Sequence, residues 1–262
     1  MKLLQPCGDA PIAIRAAVDQ GWRAYRCSAG VLSGFTLLVG GLNLLAQLGF
    51  RQASTAMVSP AGDPLAAGLV AAAGALVIWG LSGLWLLVGL LRGCAAALDS
   101  GLDGAPVRLG LLLRPGWPAI LRSGGTLALL LALLLLVRQL ADASAALMTL
   151  LMPLVARFLD LQMASNVVTW TALIYLAADQ LLCLPIAVLG GATPLAAVQS
   201  GRRAIDPHWL QALGLLLVVS LMLLAGVLVL LAGLVVALPV ALCTLTAAYR
   251  QLFVRPGNRL AR

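Results

Sequence analysis

The chain contains no glutamate, a single histidine (His208) and only 10% charged residues, where a soluble domain carries about a quarter. Nine aspartates are its whole acidic complement. Helical metal sites and many acid–base pairs thus lose their usual carboxylate. The five cysteines, at 7, 27, 94, 183 and 243, include no C-x-x-C pair and none beside His208. They read as free thiols, some packing as small apolar side chains, and neither a zinc site nor a redox dithiol is expected. Catalytic residues, metal ligands and cofactors are all expected to be absent, and the chain reads as non-enzymatic. Its start, "MKLLQPCGDAPIAIR", has one lysine but no continuous apolar core and no small-residue cleavage site. A cleavable signal peptide is therefore not expected.

What the chain does have is hydrocarbon. Of 262 residues, 62% are hydrophobic, and the mean hydropathy is +1.03. Runs of about twenty apolar residues recur, each long enough to cross a hydrocarbon core of about 30 Å. Six spans are predicted, near 30–50, 65–91, 124–141, 164–189 and two within 209–249. The last run, about 40 residues, makes nearly 60 Å of helix, or two crossings with a turn between Gly226 and Gly233. The expected fold is an all-α polytopic membrane protein: six helices in three hairpins, each preceded by a cytoplasmic interfacial segment. The units run about 11–91, 93–190 and 192–254, in one membrane domain with a basic tail at 255–262.

Charge sets the expected orientation. With the N-terminus inside, the inner segments hold Lys2, Arg15, Arg23, Arg26, Arg92, Arg108, Arg114, Arg122, Arg202, Arg203, Arg250, Arg255, Arg259 and Arg262. The outer ones hold Arg51, Arg138 and Arg157, so the split is fourteen to three and both termini come out cytoplasmic. Two stretches lie between spans: a cytoplasmic connector at 93–122, and an apolar piece at 143–162 interrupted by Pro153, read as an interfacial or re-entrant helix.

One segment is written twice. Residues 16–26 are "AAVDQGWRAYR" and residues 196–206 are "AAVQSGRRAID", sharing Ala16/Ala196, Ala17/Ala197, Val18/Val198, Gly21/Gly201, Arg23/Arg203 and Ala24/Ala204. On a helix, Ile14, Val18, Trp22 and Tyr25 form an apolar stripe beside a polar one of Arg15, Asp19, Arg23 and Arg26. Such a helix suits the headgroup layer, and Arg15, Arg23, Arg26, Arg202, Arg203 and Arg250 are the expected lipid-surface contacts. Thr193-Pro194 opens the second copy, and Asp206-Pro207 stops it. Each copy precedes two spans. Units with even numbers of spans all point the same way, unlike the inverted repeats of many transporters.

Inside the spans, Asp179 is the one deep acid and Arg138 its candidate partner. Together they form a candidate intramembrane polar site, read either as a helix-locking pair or as a functional one. Pro185 and Pro239 are expected to kink spans four and six. Asn43, Asn166 and Gln180 are expected to bond between helices. Trp22, Trp117, Trp209 and Trp170 read as interface anchors, while Trp79 is expected to pack between helices. "GVLSG" at 30–34 and "GLLRG" at 89–93 fit G-x-x-x-G, a weak dimerisation signal here.

Gly21, Trp22, Tyr25 and Arg26, with Pro194, Ala197, Gly201, Arg203 and the later Pro239, Tyr249 and Arg250, resemble the YciC-like group of uncharacterised bacterial six-span proteins. That group is in turn similar to the membrane domain of membrane-bound glycerophosphodiester phosphodiesterases. No counterpart of their soluble catalytic barrel is readable, so the resemblance implies a bacterial inner-membrane protein and no phosphodiesterase activity. The leading expectation is a scaffold, assembly or envelope-homeostasis factor; the alternative is a transporter with a polar site near Asp179. Expected partners are anionic lipids and either other membrane proteins or copies of the chain, with no nucleic acid.

Overall fold

A computed structural model describes residues 12–57, 65–103, 107–114, 116–151 and 161–254. Among them there are only helices, turns and short irregular links. In chain order the helices are α1 (Ile14–Cys27), α2 (Ala29–Met57), α3 (Leu65–Asp103), α4 (Leu109–Leu113), α5 (Trp117–Leu151), α6 (Leu161–Asp179), α7 (Cys183–Leu189), α8 (Pro194–Ile205), α9 (Trp209–Leu228) and α10 (Leu230–Phe253). A 3-10 turn, Asp206–His208, joins α8 to α9 where Asp206-Pro207 was expected to act. Six stretches are long and apolar enough to cross a membrane: Ala29–Gln52, Ala73–Ser100, Trp117–Ser144, Asn166–Leu189, one within Pro194–Leu228, and Gly233–Phe253. The break between the last two falls at Val229, inside the expected window.

Two boundaries differ from the sequence reading. The connector expected at 93–122 is shorter, because α3 runs on to Asp103 and α5 begins at Trp117. Arg92 and Arg122 lie inside those helices, since charge ends a membrane crossing without ending the helix that makes it. The separate helix expected from 143 is also not seen. Residues 143–151 continue α5 without interruption, and Pro153 lies outside the described residues.

The chain divides into two compact units. One comprises Arg15–Leu121 and Val219–Ala248. Here α2 and α3 form an antiparallel hairpin whose register is set by Leu32 against Gly93, Phe35 against Gly89, and Asn43 against Trp79 and Ser82. A Cβ on Gly89 would come within 2.6 Å of the Phe35 ring and 2.9 Å of the Leu112 carbonyl. The 89–93 glycines therefore serve packing inside the chain. Those at Gly30 and Gly34 meet nothing within 4 Å. Packing is concentrated at one end of this hairpin: Leu32, Phe35, Val39, Val88, Leu90 and Leu91 are buried, while Leu44, Leu45, Leu48, Leu76, Val77, Ile78 and Trp79 are exposed. Trp79 thus does not pack between helices, contrary to expectation. At the other hairpin of this unit, Gly226 faces Gly233 and Ala237 so closely that any side chain there would collide.

The other compact unit comprises Met1–Ile14, Arg122–Val218 and Tyr249–Arg262. Within it, Gly125 abuts the Pro194 ring at 2.9 Å, measured from an ideal Cβ. The α7–α8 turn passes through Gly191 at φ +67°, a conformation that disfavours any residue with a Cβ. A Cβ there would also meet the Arg122 guanidinium at 2.8 Å. Gln251 Oε1 accepts from the Ala13 backbone N–H at 3.1 Å, tying the end of α10 to the chain just before α1.

Candidate functional site

The repeated segments form helices that are buried and exposed in the same places except at Ala16/Ala196 and Gln20/Ser200, where the second copy is the more buried. Ala17 and Ala197, Gly21 and Gly201, Ala24 and Ala204, and Tyr25 and Ile205 are all buried; Arg23 and Arg203 are exposed, as are Trp22 and Arg202. The protein-facing side is therefore the small-residue face. Of the expected Ile14–Val18–Trp22–Tyr25 stripe, Tyr25 is buried with the small residues, while Ile14, Val18 and Trp22 lie beside them and are only partly covered, Trp22 being 46% exposed. On α1 three sectors follow one another: alanine and glycine toward protein, Ile14, Val18 and Trp22 next, then Arg15, Asp19, Arg23 and Arg26. A helix at a membrane surface needs those three sectors, because it meets protein, hydrocarbon and water at once. Arg23 donates to the backbone carbonyl of Asp19 at 3.2 Å. Arg202 pairs with Asp206 at 3.8 Å. Arg250, half-buried, sits in the last turn of α10.

The docking of these segments follows one rule. Gly21 of α1 lies on Thr244 of α10, where a Cβ would stand 2.7 Å from the Thr244 backbone nitrogen. Gly201 of α8 lies on the fourth span, where a Cβ would stand about 3.9 Å from the Asp179 carbonyl and from the Cys183 Cα. The short α4 places Leu112 on Gly89 and Gly93 of α3. Each segment thus packs on the later span of a successive pair: α4 on α3, α8 on the fourth span and α1 on α10.

The intramembrane candidates are not brought together. Arg138 is exposed and pairs with Asp142 one turn on, at 3.8 Å, not with Asp179. Asp179 is buried, 6% exposed, at a break in the fourth span. Its carboxylate Oδ2 accepts from Gln180 Nε2 at 2.6 Å. Arg202 and Asp206 act on it electrostatically with opposite sign.

The break has a local cause. Pro185 has no N–H to give the Leu181 carbonyl, and its ring crowds that carbonyl. The ladder slips in response: Leu181 N–H bonds Ala178 O at 3.4 Å, and Cys183 N–H bonds Gln180 O at 3.0 Å. Each is one residue short of the α-helical partner, which releases the carbonyls of Ala177 and Asp179 from their usual bonds. Pro239, by contrast, sits within an unbroken α10.

Gln180, expected to bond between helices, bonds its neighbour Asp179 instead, and Ser200 was not foreseen as part of this region. Gln180 is 7% exposed and Ser200 1%. Gln180 Oε1 and Ser200 Oγ are buried without a hydrogen-bond partner. The readable signal was Pro185, whose missing bond forecasts a loosened turn at residues 181–182. Asn43 does bond between helices, donating to Trp79 O at 2.8 Å and Ser82 Oγ at 2.9 Å. Asn166 is exposed. Cys27, Cys94, Cys183 and Cys243 are free thiols, Cys94 and Cys243 in mutual contact with sulfurs 2.7 Å apart. Among the described residues no three of His, Cys, Asp or Glu gather as a metal-holding group. No family model, curated protein or solved structure matches this chain.

Proposed function

We propose that this chain is a non-enzymatic scaffold, assembly or envelope-homeostasis factor of the bacterial inner membrane, held to the anionic cytoplasmic leaflet by its two repeated helices. The observation that carries the reading is the shared burial pattern of 16–26 and 196–206. In both copies alanines and a glycine face the protein, and the arginines are left outward. Each arginine near an anionic surface contributes about 1 kcal/mol, weakened by salt. Both termini lie on that side by the fourteen-to-three charge split, and the wide apolar faces of the spans are then free for lipid or for other membrane proteins. Replacing Arg15, Arg23 and Arg26 together by glutamine tests this. The purified variant is expected to retain less co-purifying anionic lipid than wild type, the gap closing at high salt. Equal retention at every salt concentration contradicts the reading.

A second reading, transport of a solute or ion, is favoured by the break at Asp179. Discontinuous spans with released carbonyls and a buried acid are the form that transport sites take in many membrane proteins. Under this reading Asp179→Asn keeps expression and detergent stability but abolishes a solute-dependent activity in cells; loss of expression would assign Asp179 to structure.

A further inference from the structure

We propose that the break in the fourth span binds a small monovalent cation. Asp179 supplies the charge, and Gln180 with the released backbone carbonyls supplies neutral oxygens. The proposal concerns binding alone and stands whether or not the ion crosses the membrane.

The argument begins with an imbalance of donors and acceptors. Within four residues of the chain, the break leaves the Asp179 carboxylate, the carbonyls of Ala177 and Asp179 that have left the ladder, and the side-chain oxygen of Gln180. Against these oxygens the Gln180 amide supplies one bond, Nε2 to Asp179 Oδ2. Its Oε1, on a side chain more than nine-tenths buried, has no donor. A buried acceptor without a donor is costly, and a buried carboxylate without a counter-charge more so. Both costs fall when a cation enters among the oxygens.

The charge count selects the kind of cation. Arg202 acts on Asp179 as a positive charge, but it is paired with Asp206 at 3.8 Å, whose negative charge acts the opposite way. One carboxylate is then left to be neutralised. A monovalent ion does so, whereas a divalent ion would leave net charge in a low-dielectric region. All the donors are hard oxygens, three of them neutral dipoles, the set that suits an alkali cation rather than a soft or imidazole-seeking metal. α8 lies over the break: an ideal Cβ on its Gly201 would stand about 3.9 Å from the Asp179 carbonyl.

Sodium is the probe. Purified protein in detergent is titrated with sodium chloride, with N-methyl-glucamine chloride holding ionic strength constant, and thermal stability is followed beside direct binding of radioactive sodium. Wild type is expected to show a saturable rise in Tm and saturable binding. Asp179→Asn should bind about tenfold more weakly or worse, the loss expected when a charged ligand becomes neutral. Gln180→Leu should weaken binding by less, and Asp142→Asn, an exposed acid, should match wild type. Potassium in place of sodium producing the same saturable shift also supports a monovalent site. Absence of saturable sodium binding to wild type overturns the proposal, as does equal affinity in Asp179→Asn. Saturable stabilisation by calcium but not by sodium overturns it too. If Asp179→Asn does not fold, wild type and Gln180→Leu decide: sodium binding unchanged by Gln180→Leu overturns the ligand set.

Discussion

At the scale of single residues, the two copies of the repeated segment differ in how tightly they dock. A Cβ on Gly21 would stand 2.7 Å from the Thr244 nitrogen and 2.8 Å from its Cα, and backbone cannot step aside. A Cβ on Gly201 would find its nearest neighbour at 3.8 Å, an ordinary contact. Alanine is the better helix former by about 1 kcal/mol, so the same substitution should act in opposite directions. Gly21→Ala is expected to destabilise by about 1–3 kcal/mol through overpacking, while Gly201→Ala is neutral or mildly stabilising. Thermal melts of the two variants in one detergent check this; equal losses would show that α1 can shift along α10. Arg138 and Asp179 carry the second residue-scale prediction. Arg138 pairs with Asp142 on an exposed face, so Arg138→Gln and Asp179→Asn should add without coupling, within about 0.5 kcal/mol. A double-mutant cycle on detergent stability measures it. The supposed pair shows where sequence reading ends: hydropathy gives the depth of a residue in a span, but not which way round the helix it points. The repeated arginines were easier, since one amphipathic period fixes their direction relative to the buried face.

At the scale of elements, spans four and six show that proline does not act alone. Pro185 and Pro239 both sit in apolar helices, yet only the first accompanies a break. Around Pro185 the chain offers Asp179 and Gln180, whose side chains bond each other rather than the ladder. It also offers α8, whose Gly201 lies over the loosened turn. Restoring the missing N–H with Pro185→Ala should therefore draw residues 181–184 back toward a regular ladder. Their amides are expected to exchange with deuterium more slowly than in wild type. Unchanged exchange would place the cause in the docking of α8. Sequence made the position of this break foreseeable, because Pro185 names its missing acceptor, Leu181. It did not reveal the break's depth of burial, which depends on α8 folding back across it. The ends of α3 and α5 were misplaced for a related reason: Arg92 and Arg122 mark where hydrocarbon should end, and the helices continue past them.

At the scale of the whole molecule, the six apolar stretches were legible because crossing a bilayer demands length and hydropathy together, and both are written in the sequence. Orientation is the larger claim that the charge split supports, and the placement of the thiols makes it testable. Cys94, Cys183 and Cys243 are buried and Cys27 is exposed, so among the described residues Cys27 is the one native thiol open to a bulky reagent. It lies at the end of α1, beside Arg26. Gln52 is exposed at the far end of the first span, next to Arg51. With Cys7 replaced by serine, an impermeant maleimide should label Cys27 only after the membrane is opened. In the same background carrying Cys27→Ser, Gln52→Cys should be labelled in intact cells. The two sites bracket one span of 24 residues, Ala29–Gln52, about 36 Å of helix and enough to cross the hydrocarbon core. Labelling of both sites in intact cells would mean that this helix does not cross. Labelling of Cys27 alone would invert the protein, placing its exposed arginines on the outer surface and removing the leaflet-bound scaffold reading with them.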